Sequence, residues 1–110
     1  MLLIHLGGSI LDRYKVMLKQ KALDDIDSIY EYIALGLQNT DAALKLVDDL
    51  EAAIFSLENL PYRGTERKIG MFAYKGYRQL FINNFTIIYR VNQKDKQVVI
   101  VHVIYSKRDL

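Results

Sequence analysis

The sequence contains no cysteine and no tryptophan, and only one proline and two histidines among 110 residues. Without cysteine there can be no disulfide, no zinc–thiolate centre and no thiol nucleophile, and a reducing interior is the compartment that fits. His5 and His102 are far apart in the chain with no thiolate to join them, so neither a bound metal nor a cofactor is expected. Long apolar runs are missing too. The opening "MLLIHLGGSIL" is apolar but lacks a basic leader and an A-x-A cleavage pattern. No stretch approaches the roughly 18 apolar residues of a spanning helix. These absences exclude a membrane protein, weigh against secretion and leave a cytoplasmic location as the expectation.

What is present is ordinary for a folded domain. Hydrophobic residues make up 51% and charged residues 25%, too apolar and too mixed in charge for disorder. A chain of this length buries roughly two-thirds of its unfolded surface, enough for one core. No internal repeat or low-complexity linker divides it.

Periodicity gives the order of elements. In "YKVMLKQ" (14–20), Tyr14, Val16 and Leu18 alternate with Lys15, Met17 and Lys19, the period of a half-buried strand. From Leu23 the apolar positions Leu23, Ile26, Ile29, Tyr30, Ile33 and Leu37 recur every three or four residues, predicting an amphipathic helix that ends near Gly36. Asp24, Asp25 and Asp27 would then occupy its first turn, where the helix dipole favours anions. Asn39 or Thr40 offers the next N-cap, and Ala43, Leu46, Val47, Leu50, Ile54, Leu57 and Leu60 draw a second stripe up to Pro61. So short a connection predicts two antiparallel helices. "YRGTERKIG" reads as a loop, and strands are predicted at 71–75, 77–83, 85–92 and 97–105, with turns at Gly76, at Asn83-Asn84 and within "NQKDKQ". The predicted fold class is α+β, an antiparallel helical hairpin on an antiparallel sheet in the order β-α-α-β-β-β(-β). Tyr89 is predicted to be core, sharing a face with Phe85, Ile87 and Val91, and His102 is read as a hydrogen-bonded packing residue beside Val98, Ile100 and Ile104.

Charge is divided unevenly. Residues 22–60 hold nine acidic groups and one basic group, Lys45, for a net −8, while the rest hold fourteen basic and four acidic groups for +10. The basic groups are interleaved with aromatics, a pattern suited to a polyanion or an acidic partner. Arg63, Arg67 and Lys68 in one loop, with Lys107 and Arg108 after the last strand, are expected to gather at one end of the sheet. There the final hairpin would act as a rigid arm presenting charge. Solvated faces that only maintain solubility are the alternative.

The ordered set "ALDDIDSIYEYIA", "AALKLVDDLEAAIFSLENLP", "GYRQLFINNFTIIYRV" and "VVIVHVIYSKRD" resembles the RelE/ParE superfamily of toxins from bacterial type II toxin–antitoxin systems, ParE-like members more than RelE-like ones. The resemblance runs from Tyr14 to Leu110 and leaves residues 1–13 as an extension, read as an over-long start. It implies a toxin domain at 14–110, a cognate antitoxin that wraps and neutralises it, and possible assembly into a heterotetramer with that antitoxin. Of the superfamily's two activities, ParE-like inhibition of DNA gyrase is the expected one, within a plasmid-stabilisation type of system. The alternatives are a ribosome-dependent, metal-independent mRNA endoribonuclease and a non-toxic relative that only binds a partner. RelE-like nucleases carry an arginine where this chain has Thr86. If the protein were a nuclease, the resemblance would leave Arg78, Tyr105 and Arg108 as catalytic candidates. Arg63, Arg67, Lys68, Tyr77, Arg78, Lys107 and Arg108 are the residues expected to meet target or antitoxin, with an ion pair to a helix carboxylate as the structural alternative for Arg78.

Overall fold

The computed structural model describes residues 13–108; residues 1–12 of the expected extension, with His5, the pair Asp109 and Leu110, and the side chain of Arg108 lie outside the described part. Strand β1 (Lys15–Leu18) leads into helix α1 (Gln20–Glu31), which is continued by a wider π-helical turn at Tyr32–Gly36. Helix α2 (Thr40–Ser56) follows, then β2 (Thr65–Glu66), β3 (Arg78–Ile82), β4 (Phe85–Asn92) and β5 (Gln97–Tyr105), with a short 3-10 turn at Ser106–Arg108. The five strands form one sheet in the order β1-β5-β4-β3-β2. Two helices thus pack on a mixed sheet, an α+β architecture.

The mixed character corrects the expected all-antiparallel sheet. β1 pairs parallel to β5, Lys15 opposite Gln97 and Leu18 opposite Ile100, while the remaining pairs are antiparallel. After the helical hairpin the chain re-enters the sheet in β2, antiparallel to β1, and three antiparallel steps through β3 and β4 bring β5 back parallel to β1. The expected strand at 71–75 is instead a run of turns, and the two-residue β2 lies in what reads as loop. Phe72 and Tyr74 adopt left-handed backbone (φ 68° and 56°), which no strand accommodates.

Helix α1 begins three residues before Leu23, so the aspartates leave the first turn and none of its first-turn residues is acidic. The Lys19 amide is taken by the Ile100 carbonyl (2.9 Å), which fixes the start of α1 against the end of the β1–β5 pairing. α2 begins at the expected place: Asn39 Oδ1 accepts the Ala42 amide at 3.1 Å. Such a cap contributes about 1 kcal/mol. Leu50, Ile54 and Leu57, at most 1% exposed, contribute about 1.5–3 kcal/mol each by burial, so packing outweighs the cap.

The core lies between the helices and one face of the sheet, where Leu80, Ile87, Tyr89, Val98, Ile100 and Val103 meet Leu46, Leu50, Ile54 and Leu57. Tyr89 is fully buried on that face, as its pattern predicts. A β-bulge interrupts the β4–β5 register: His102 pairs with Ile88, whereas Tyr89 pairs with Ile100. Val101 is the extra residue, so the side-chain alternation reverses there. Val103 takes the core face, and His102 stands opposite Val98 and Ile100 rather than beside them.

The far face of the sheet is covered as well. Thr86 and Ile88 point away from the helices yet are 1% and 0% exposed. The segment 67–77 is tied to the sheet next to Ile88 by Arg67, whose Nη1 donates to Gln79 Oε1 at 2.8 Å. Gln79 pairs directly with Ile88.

Candidate functional site

Arg78 and Tyr89 form one rung of the sheet, and both point into the helix side. Both also close on Gly64. The Tyr89 hydroxyl accepts the Gly64 amide at 2.9 Å, and Arg78 Nη2 donates to the Gly64 carbonyl. The same guanidinium reaches the Tyr62 carbonyl at 3.3 Å and lies 5.1 Å from the centre of the Tyr62 ring. No side chain fits at Gly64, because a Cβ there would sit 2.3 Å from the Gln79 carbonyl oxygen and 2.7 Å from the Tyr89 hydroxyl. The clamp therefore ties the α2–β2 connection to the sheet through backbone carbonyls, not through the helix carboxylate considered for Arg78. It is not fully satisfied, since Arg78 Nε is buried without a hydrogen bond.

The other cations do not gather. Arg67 is 1% exposed, its Nε donating to the Met71 carbonyl and its Nη1 to Gln79, so its charge is used inside the fold. Arg63 bonds Ser56 Oγ at 2.9 Å beside α2. Lys68 follows Arg67, beyond the Glu66–Arg78 rung, whereas Lys107 follows the Phe85–Tyr105 rung, four residues along β4 and three strands across. Strand spacings of about 3.3 Å per residue and 4.8 Å per strand put those rungs roughly 20 Å apart. Tyr77 packs against Phe72 with tilted rings whose centres are 4.7 Å apart, and Tyr105 meets Phe85 edge-on at 5.6 Å. Arg78 and Tyr105 are separated by the same four residues and two strands, roughly 16 Å. The Arg78 guanidinium is engaged by the Gly64 and Tyr62 carbonyls and the Tyr105 ring packs on Phe85, so the two are not arranged around a shared phosphate. Thr86 shares a hydrogen bond of 2.7 Å with Ser106 Oγ and is shut off from solvent.

What the structure does bring together is a group not singled out by the charge pattern. β1 ends opposite Ile100, and among the described residues no strand lies beside the edge of β5 beyond that residue. Asp25, 8% exposed, fills the first part of the gap: its Oδ2 accepts the Val103 amide at 2.9 Å and meets His102 Nδ1, and its Oδ1 takes the Lys21 ammonium at 2.8 Å. The Asp25 hydrogen bond and charge push the Lys21 ammonium above its ordinary value. A signal for this was present, since Asp25 falls at helical spacing between Ala22 and Ile29, a carboxylate on the apolar stripe. Further along the bare edge opens a groove of about 820 Å³ walled by Ile29, Tyr32, Ile33 and Leu37 on one side and Phe85, Ile104 and Tyr105 on the other, with Met71 at its rim. Among the described residues no three histidine, aspartate or glutamate side chains come together as a metal set.

A packed helical hairpin, a meander ending in a bare edge and an apolar groove beside it suit a small protein-binding domain. Residues 16–110 match the family described as ParE toxin of type II toxin-antitoxin system, parDE. The chain belongs to the ParE toxin family. Its fold is also that of several solved toxins. A chain of the chromosomal ParDE system from P. aeruginosa superposes with a TM-score of 0.70 at 24% identity, covering 86% of this chain and 97% of that one. A chain of the toxin-antitoxin complex RelBE2 from Mycobacterium tuberculosis gives 0.63 at 17% identity over 84% and 98%. The YoeB/ParE toxin from Agrobacterium tumefaciens gives 0.54 at 21% identity over 83% and 96%. At such identities the likenesses concern the fold alone. No protein of curated function matches the sequence. Among the described residues of this ParE-family chain, no helix is long and apolar enough to cross a membrane.

Proposed function

We propose that this ParE-family protein is a growth-inhibiting toxin that acts in the cytoplasm by binding DNA gyrase and is neutralised by a cognate antitoxin. The gyrase target follows from the sequence resemblance, and one observation favours it over RNA cleavage. The strand positions of Arg78 and Tyr105 are roughly 16 Å apart across the sheet and the Tyr105 ring is packed on Phe85, while general acid–base work and phosphorane stabilisation need their groups within hydrogen-bond reach of one phosphate. Arg78 is moreover occupied by the Gly64 and Tyr62 carbonyls.

The antitoxin's seat in this reading is the groove at the bare β5 edge. An extended segment laid there would add to the sheet beyond β1, with apolar side chains entering between Tyr32, Ile33 and Tyr105. The solved relatives in the ParDE and RelBE2 systems support a partner of this kind. The toxin unit in this reading spans residues 14–110, and plasmid stabilisation is the role that such a pair would serve.

The test is induction of the toxin without antitoxin in a bacterial host. Gyrase–DNA cleavage complexes should accumulate while primer extension shows intact mRNA. Discrete mRNA cuts within minutes, with no gyrase complexes, would replace this reading with the ribosome-dependent nuclease. Unimpaired growth would replace it with the non-toxic relative.

A further inference from the structure

The segment between β2 and β3 inverts the usual division of side chains. Its arginine is inside: Arg67 is 1% exposed. Its large apolar groups are outside: Ile69 and Tyr74 are each 73% exposed and Met71 is 50% exposed. Stability alone favours the opposite arrangement, since a buried guanidinium costs desolvation and an exposed isoleucine forgoes transfer from water. The backbone is costly as well. Phe72 and Tyr74 sit in the left-handed region with Gly70 and Gly76, and only the glycines adopt it freely.

The segment is nonetheless held in one shape. Arg67 Nε ties the Met71 carbonyl, the Tyr74 amide donates to the Arg67 carbonyl at 3.0 Å, the Ala73 amide donates to the Gly70 carbonyl at 3.2 Å, and Phe72 packs against Tyr77. Strained backbone that its surroundings fix in place, and that displays apolar side chains in water, is a pattern found at sites selected for contact and not for stability. Lys68 and Lys75 flank the crest, both exposed.

We propose that this crest of Ile69, Met71 and Tyr74 is the surface that engages the toxin's target, and that its counterpart is a protein surface with an apolar hollow bordered by carboxylates. The inference rests on the toxin reading above and adds to it where the target is met. Ile69 and Met71 offer nothing to a phosphate backbone, whereas a hollow with an acidic rim complements both the apolar crest and the two lysines. Met71 belongs both to the crest and to the rim of the β5-edge groove, so an antitoxin seated in the groove would reach the edge of the target-binding surface and leave Ile69 and Tyr74 outside its seat.

The test uses Tyr74→Asn and Ile69→Ser/Tyr74→Asn in the full chain, co-expressed with and without antitoxin. Asparagine tolerates left-handed backbone better than tyrosine, so Tyr74→Asn should keep or raise the Tm. A crest that contacts the target predicts at least tenfold weaker growth inhibition in the double variant, with antitoxin affinity within about twofold of wild type. Undiminished toxicity would overturn the proposal, as would parallel loss of toxicity and antitoxin affinity. Lys68→Ala/Lys75→Ala should weaken inhibition in step with binding of the purified toxin to gyrase. If the loss tracks binding to a single-stranded RNA instead, the protein partner is wrong. Crest-dependent growth arrest without any gyrase complexes would retire gyrase as the target and leave the crest in place, so the two readings fail separately.

Discussion

Asp25 is the residue on which most depends for its size. One carboxylate accepts the Val103 amide, meets His102 and holds Lys21, closing the first part of an edge that would otherwise expose a buried amide. Asp25→Asn keeps the shape but puts an amide where donors converge. A loss of about 2–4 kcal/mol is expected in urea unfolding at neutral pH. The Lys21 partner carries a pH signature. Its ammonium is pushed above 10.5 by the Asp25 hydrogen bond and charge, so its contribution is whole below about that pH and vanishes as pH rises through the raised value. The Tm curves of wild type and Lys21→Met should therefore converge in alkali, with a small gap at neutrality because the lysine is solvent-exposed. Thr86→Arg tests the nuclease alternative from the structural side. The site is sealed by the Ser106 contact, so a guanidinium there would be buried without a partner and cost several kcal/mol. A collapse in Tm with no gain of RNA cleavage is the expected result.

At the scale of elements, the α1–α2 connection shows how strain and capping share one turn. The π-helical turn closes with the Leu37 amide on the Tyr32 carbonyl at 2.9 Å, Gln38 then adopts φ 53°, and Asn39 caps the next helix. Glycine at position 38 removes the left-handed strain, and Gln38→Gly should raise stability by about 0.5–1 kcal/mol in thermal unfolding. Asn39→Ala should lower it by about 1 kcal/mol. The helices, the N-cap at Asn39 and the strands β3 to β5 were all legible in the sequence, because each depends on apolar spacing or on turn residues within a few positions. The segment at 71–75 misled because "MFAYK" has strand composition. What decides its shape is the burial of Arg67 beneath it, a contact with Gln79 twelve residues on.

For the whole molecule, the cations divide between opposite ends of the sheet and the interior instead of converging. Affinity for an antitoxin should then come from the apolar groove more than from charge. Raising salt from 50 to 500 mM should weaken antitoxin binding less than about tenfold by calorimetry, with a negative heat-capacity change on binding as the mark of apolar burial.

The sequence by itself determined both helices and their apolar faces, strands β1 and β3 to β5 and the place of Tyr89 in the core, because these reside in local periodicity and short-range sterics make them nearly independent of what lies across the fold. The likeness to the family was carried by the ordered motifs. Only the tertiary structure decided that β1 runs parallel to β5, that a bulge at Val101 turns His102 to the far face, that Arg67 is enclosed and that Asp25 closes the open edge. Each of these is settled by partners across the fold, from about a dozen to several dozen residues away, whose geometry no local pattern encodes.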